Sequence, residues 1–388
     1  MKKITVLTAT RAEYGLLKPL IIRLRNHPEC DTRVVVTGMH LSSEFGMTFH
    51  EIERDGIPID RKIEILLSSD SSAAMSKSMG LAMISFADYF AETRPDAIVV
   101  LGDRYETLAV CCAAMNARIP ILHLHGGEAT EGLIDEAVRH AITKMSYLHF
   151  TSTEAYRKRV IQLGEHPERV YNVGATGVEN IKNLSLLSRE ELQQALNIDI
   201  EKEYALITYH PVTLEEEDKS KLCELFEALA SFQHLNLIFT KANADANGRY
   251  INQRIEEFVQ GRENAWLFDS LGVIKYLSAV KYASVVVGNS SSGIVEVPYF
   301  GVPTVNIGNR QRGRIQADSI INCELDYEDI RHAIQLSMSS EFRKKIENMV
   351  CPYGDGHTSE KIVQIIEDQI LHGEIDLMKK FYDIDFEV

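Results

Sequence analysis

Apolar runs of four to six residues recur along this chain, and segments with a helical apolar period separate them. Ile4–Leu7, Thr32–Val36, Ala97–Leu101, Ile119–His123 and Tyr147–Thr151 read as buried strands. Leu16–Arg25, Glu106–Ala117, Ile134–Lys144 and Glu154–Leu163 read as the helices between them. Strand, helix, strand in repetition specifies a parallel sheet covered on both faces. Near Asn172–Gly177 the chain turns Gly-rich, and a polar stretch to Asp199 follows. The pattern then resumes, with strands expected at Tyr204–Thr208, Asn236–Thr240, Ala265–Phe268, Ser284–Gly288 and Thr304–Ile307. Helices are expected near Glu215–Ala230, Gly248–Gln260, Gly272–Lys281, Ile294–Phe300 and Ser359–Leu371.

A length of 388 residues is long for one core. The expected class is α/β, with two doubly wound parallel-sheet domains in tandem. The expected boundaries are 1–175, 176–358, and a C-terminal helix and tail over 359–388 that packs back on the first domain. Two such sheets place a cleft between their carboxyl ends, where doubly wound folds bind ligands. Functional motifs should therefore stand just after strands.

The net charge of −15 argues against nucleic acid as a partner. A small phosphorylated ligand remains open to such a chain, through a few placed basic groups and backbone N–H dipoles. The six cysteines form no C-x-x-C pair and no metal-ligand spacing, which points to a reducing, cytoplasmic setting. The apolar start ends at Arg11 and Glu13, too soon for a secretion signal. No run approaches the about 18 apolar residues of a membrane span.

The motifs do follow strands. Thr8–Gly15 lacks the G-x-G-x-x-G of dinucleotide folds and instead places Arg11 at the strand-to-helix turn, suited to a phosphate. Leu101–Glu106 puts Asp103 and Arg104 at a sheet edge after a glycine turn, either for ligand contact or as an ion pair. His123-Leu124-His125-Gly126-Gly127-Glu128 follows the next strand. Strand alternation would set His123 and His125 on one face, and the glycines would let backbone approach a ligand. Asp135, Arg139 and His140 have helical spacing, with Asp135 and Arg139 on one face. Two titratable groups in different environments suit acid–base chemistry. A metal site is the competing reading, but the spacing matches no familiar one, so no metal or cofactor is expected.

In the second half, His210 precedes Pro211 and is biased to an extended backbone. Lys241–Asp245, with Asn243, also follows a strand. Val285–Glu296 feeds a β-branched strand into Ser290-Ser291-Ser292-Gly293, an expected anion cradle with a helix opening at Ile294. Glu296 would lie in its first turn and accept two vicinal ribose hydroxyls. Arg310, Arg312 and Arg314 follow the last strand as an expected phosphate clamp.

Taken in order over residues 8 to 314, T-A-T-R-A-E-Y-G, G-D-R-Y-E, H-G-G-E with D-E-A-V-R-H, H-P-V-T, N-A-D, G-N-S-S-S-G-I-V-E and R-Q-R-G-R resemble the hydrolysing UDP-N-acetylglucosamine 2-epimerases of bacterial sialic-acid synthesis. The resemblance implies a GT-B-type fold with UDP held mainly by the second domain. It implies nucleotide contacts from Arg11, Arg104, His210, Asn243, Ser290, Ser291, Ser292, Glu296 and Arg314. It places Asp103, His125, Glu128, Asp135, Arg139 and His140 at the sugar. The implied reaction is anti elimination of UDP to a 2-acetamidoglucal, addition of water at C1, and proton return to C2 on the opposite face. The products would be UDP and N-acetylmannosamine. Where relatives often carry a glutamate, this chain has His125. The resemblance also suggests a homo-oligomer, a dimer or tetramer built through the first domain.

Alternatives stay within reach of the same motifs. The substrate could be a UDP-2,4-diacetamido-2,4,6-trideoxyglucose feeding legionaminic acid. A non-hydrolysing epimerase would return a UDP-sugar. A GT-B glycosyltransferase would share the UDP grip, and a non-catalytic UDP-sugar sensor would not require the carboxylates.

Overall fold

The computed structural model describes residues 1–43, 46–67, 71–129, 134–210, 221–242, 248–269 and 271–385. The chain forms two compact units, Met1–Asn180 with Gly354–Val388, and Ile181–Tyr353.

The first unit opens with β1 (Lys2–Thr8), α1 (Arg11–Asn26), β2 (Cys30–Thr37), α2 (Phe49–Arg54), β3 (Ile59–Ile63) and α3 (Ser72–Thr93). It continues with β4 (Ala97–Leu101), α4 (Tyr105–Asn116), β5 (Ile121–Leu124), α5 (Ile134–Met145), β6 (Leu148–Thr151), α6 (Glu154–Gln162), β7 (Val170–Asn172) and α7 (Thr176–Asn183), whose last residues lie in the second unit. The sheet is parallel throughout, in the order β3-β2-β1-β4-β5-β6-β7. β4, β5 and β6 are buried at every position, as a sheet covered on both faces requires. Leu17, Leu20, Ile21 and Leu24 of α1 cover one face together with Ile362, Ile366 and Ile370, so the C-terminal helix completes this core. Each such side chain contributes about 1.5–3 kcal/mol by leaving water. Phe86, Tyr89 and Phe90 of α3 cover the other face.

The second unit contains α8 (Arg189–Leu196), β8 (Tyr204–Thr208), α9 (Leu222–Ala230), β9 (Asn236–Thr240), α10 (Gly248–Val259), β10 (Ala265–Phe268) and α11 (Gly272–Tyr282). β11 (Val285–Gly288), α12 (Ser291–Val295), β12 (Thr304–Ile307), β13 (Ile320–Cys323), α13 (Tyr327–Met338) and α14 (Ser340–Ile346) follow. Its parallel sheet runs β10-β9-β8-β11-β12-β13. α15 (Thr358–Ile366) then returns to the first unit and ends in a short π-helical turn at Glu367–Leu371. The fold is the predicted pair of doubly wound, Rossmann-like domains of GT-B type. Among the described residues no helix is long and apolar enough to cross a membrane.

Several elements escaped the sequence reading. β3 is an edge strand of alternating exposure with three charged residues, so it lacks an apolar run. α3 carries Met83 and Ile84 on its exposed side, which blurs the stripe that would mark it. The helix expected over Ile294–Phe300 is two pieces. α12 opens at Ser291, and a separate 3₁₀ turn at Val297–Phe300 starts beside Pro298.

Strand order changes direction between β1 and β4, and again between β8 and β11. Those two switch points are where a doubly wound sheet opens a crevice at its carboxyl edge.

Candidate active site

At the first switch point, Thr10 caps α1 by accepting from the Glu13 amide at 3.2 Å. Glu13 Oε2 reaches back to the amides of Ala9 at 2.7 Å and Thr10 at 3.3 Å. Its other oxygen is buried without a hydrogen-bond partner, as is one oxygen of Glu106. Arg104 lies beside both carboxylates, donating from Nε to Glu106 at 2.5 Å and standing 4.0 Å from Glu13. Burial pushes the Glu13 carboxyl up to about 7, with the Ala9 amide and Arg104 pulling down and the Glu106 charge pushing up.

That shift has a consequence for stability. Between its ordinary value of about 4.5 and about 7, folded Glu13 holds a proton that the unfolded chain has lost. Stability must therefore fall as pH rises through this window. Glu13→Gln keeps the cap oxygen and removes the ionisation. The melting temperature of the variant, relative to wild type, should climb from pH 4.5 to pH 7; a constant difference over that range would contradict the assignment.

Asp103 and Arg104 are neighbours that do not pair with each other. Asp103 is ion-paired with Arg139 of α5, and Arg139 is 2% exposed. The same guanidinium donates to the Glu136 carboxylate at 2.7 Å and to the Glu128 carbonyl at 2.7 Å. Glu136 also faces His140 Nε2 at 3.2 Å, one helical turn on. Glu136, the residue after Asp135, is thus the carboxylate of α5 that pairs with Arg139, and Asp135 is half-buried. Arg139 gathers three groups from the turn after β4, the turn after β5 and its own helix.

The shared strand face predicted for His123 and His125 is not formed. β5 ends at Leu124, and His125 takes a left-handed backbone at φ +66°, outside the strand alternation. His123 is fully buried, its Nε2 2.8 Å from the Gly102 carbonyl, and burial pushes its pKa down to about 3. It is a neutral imidazole that braces the Gly102 turn. His125 lies between two partners, Glu128 at 3.2 Å from Nδ1 and the Thr176 hydroxyl at 3.1 Å from Nε2. Ser152 donates to Glu128 at 2.7 Å. Burial opposes ionisation of Glu128, but His125, Ser152 and Arg139 outweigh it and hold the carboxyl down at about 2. Gly127 also meets a packing requirement. A Cβ on Gly127 would stand 2.5 Å from the Tyr156 carbonyl of α6.

At the second switch point, the Asn289 side chain accepts from the His210 amide at 2.7 Å and donates to its carbonyl at 2.8 Å. This reciprocal pair joins the turns after β8 and β11. Ser290 caps α12, accepting from the Ser292 amide. Ser292 Oγ donates to Glu296 at 2.5 Å and receives Tyr276 at 3.1 Å. Glu296 is therefore at the end of α12 and not in its first turn, because the helix begins three residues earlier than expected. The arginine loop is partly knitted to this turn, since Arg310 and Gln311 both donate to the Asn289 carbonyl, at 3.1 and 2.9 Å. Arg312 is exposed and Arg314 half-buried.

Arg11 is 71% exposed on its side chain and pairs with Glu51 at 3.1 Å. Asn243 and Pro211–Thr213 lie outside the described residues. Glu13, Glu106, Ser152, Thr176, Tyr276, Asn289 and Gln311 were given no role from the sequence, and Glu136 was noted beside Asp135 without one. Of these, Glu13 had a legible signal in the T-x-x-E capping box.

Two doubly wound domains, each with polar groups gathered at its switch point, define a class of ligand-binding α/β protein. A family model described as UDP-N-acetylglucosamine 2-epimerase matches residues 22–367. The GDP/UDP-N,N'-diacetylbacillosamine 2-epimerase (hydrolyzing) of Campylobacter jejuni subsp. jejuni serotype O:2 is 43% identical, over 99% of this chain and 99% of its own. Polysialic acid biosynthesis protein P7 of Escherichia coli is 39% identical, over 99% and 98%. The crystal structure of a UDP-N-acetylglucosamine 2-epimerase from Listeria monocytogenes superposes with a TM-score of 0.78 at 20% identity, over 99% and 100% of the two chains. The chain belongs to the UDP-N-acetylglucosamine 2-epimerase family, among the hydrolysing UDP-sugar 2-epimerases.

Proposed function

We propose that this enzyme converts UDP-2,4-diacetamido-2,4,6-trideoxyglucose and water to UDP and the free 2-epimeric sugar, 2,4-diacetamido-2,4,6-trideoxymannose. The observation that carries the choice of sugar is the 43% identity, over nearly the whole of both chains, to the diacetylbacillosamine enzyme, whose named sugar is this one. The E. coli polysialic acid protein favours a second reading, N-acetylmannosamine from UDP-N-acetylglucosamine.

In this reading the second unit holds the nucleotide through His210, Asn243, Ser290, Ser291, Ser292, Glu296 and Arg314, with Arg11 and Arg104 of the first unit also at the phosphates. The first unit carries the sugar chemistry. Two acid–base groups are needed at C2, one to remove the proton and one to return it on the other face. His125, oriented by Glu128, is one candidate, and Asp103, paired with Arg139, is the other. Glu128 is held as a carboxylate, which suits orienting an imidazole better than donating a proton. Asp135 and His140 complete the sugar side. The departing UDP takes its bonding electrons, and cations with backbone N–H groups stabilise that charge. Water adds at C1 of the acetamidoglucal and supplies the hydroxyl of the free sugar. A reducing, cytoplasmic setting fits the six free thiols and the nucleotide-sugar substrate.

Proton NMR in deuterated water, with each UDP-sugar in turn, tests this directly. Free UDP, a 2-epimeric sugar and deuterium at C2 are expected, with faster turnover of the diacetamido substrate. An epimer still attached to UDP, or protium kept at C2, would refute the hydrolysing mechanism. Faster turnover of UDP-N-acetylglucosamine would select the second reading.

A further inference from the structure

We infer that Lys379, on the C-terminal tail, is a positioning residue that holds α5 and through it the Arg139–Asp103 pair. Beyond the π-helical turn the described residues of the tail, to 385, form neither helix nor strand, yet they are tied to the rest of the first unit at several points. Arg169 donates to the Asp376 carbonyl at 3.1 Å, and the Tyr382 amide donates to the Gly164 carbonyl at 3.0 Å. The Phe381 ring lies where a Cβ on Gly164 would stand, and Gly164 has φ +86°.

Between these ties, the Lys379 ammonium makes three short contacts. It donates to the Lys144 carbonyl at 2.8 Å, the Ser146 carbonyl at 2.7 Å and the Glu165 carboxylate at 2.6 Å. The two carbonyls lie at the C-terminal end of α5, where a helix has unsatisfied acceptors and its dipole favours a cation. Glu165 is fully buried and also meets Lys144 at 2.6 Å and His149 at 3.0 Å. Burial opposes its ionisation, but these three partners hold it down at about 2. The tail thus sets a partly exposed ammonium against a buried carboxylate and two carbonyls at the end of α5, and these three contacts fix where the helix end sits.

α5 transmits that geometry. It has 12 residues, a rod of about 18 Å. Its N-terminal half carries Glu136 and Arg139, and His140 follows at its middle. A second line runs through the sheet. His149 stands directly across from His123 in the β5–β6 register, and His123 holds the Gly102 carbonyl next to Asp103. The inference rests on the reading that Asp103 and Arg139 act at the sugar.

The test uses the full-length chain with Lys379→Met, Lys379→Arg and Lys144→Met. Turnover of the UDP-sugar, UDP affinity and amide hydrogen exchange across α5 are measured. Lys379→Met should lower kcat by about tenfold or more while KM and UDP affinity change by less than about threefold. Exchange over α5 should quicken, and Lys379→Arg should restore most of both. Lys144→Met removes a partner of Glu165 but leaves the tail on the α5 carbonyls, so it should stay within about threefold of wild type. Unchanged kcat in Lys379→Met, slowed turnover without a change in α5 exchange, or equal damage from Lys144→Met would overturn the inference. If Lys379→Met does not fold, Lys379→Gln is read by the same criteria. If wild type turns over no UDP-sugar, the functional reading fails, and α5 exchange in Lys379→Met still decides the tail's role.

Discussion

Asp103→Asn should lower kcat by about a thousandfold, in line with the loss of a positioned acid–base group, while UDP affinity stays within about twofold. The substitution keeps shape and one acceptor oxygen but removes the charge that faces Arg139. Arg139 would remain held by Glu136 and the Glu128 carbonyl, so its position should persist. The nucleotide residues proposed in the second unit are untouched. Turnover and isothermal titration with UDP, on one preparation, separate the two effects. Wild-type turnover would remove Asp103 from the mechanism, and a parallel loss of UDP affinity would move it to nucleotide binding. Deuterium exchange at C2 is a finer readout, because it reports proton removal even when elimination is slow.

Gly288→Ala is expected to be the most destabilising single-methyl change in the second unit, by more than about 4 kcal/mol. Gly288 ends β11 with φ +139°, a conformation that L side chains rarely adopt. A Cβ there would overlap the backbone carbonyl of Thr208 on the neighbouring β8, and both groups are fixed by the parallel ladder. The strands would have to part at the point where Asn289 joins the β8 and β11 turns. Chemical denaturation should show a large fall in midpoint, and any folded fraction should have weakened UDP binding. A midpoint close to wild type would mean that the two strands do not approach this closely. Gly301→Ala is the control, since its φ is also positive but nothing lies within 4 Å of the added methyl.

Much of the architecture was readable because its signals are local. Tyr204–Thr208, Asn236–Thr240 and Thr304–Ile307 are strands at the residues expected, since a strand buried on both faces reads as a largely apolar run. The edge strand β3 failed the same rule, because one of its sides faces solvent. The helix start near Ser290 was misplaced by three residues, because a run of serines offers several possible caps and only packing selects one.

The sequence by itself determined where functional groups would gather. Chemistry-bearing residues follow strands, and the carboxyl ends of strands in a doubly wound sheet lie along one edge. Only the tertiary structure decided which of those groups are partners. Arg139 pairs with Asp103 across 36 positions, His125 with Thr176 across 51, and Arg104 turns to Glu106 and Glu13 rather than to its neighbour Asp103. Such choices depend on strand order, on helix rotation and on which charges are shut away from water. A side chain's neighbours in sequence carry none of that information, because a hydrogen bond requires an approach of about 3 Å in space.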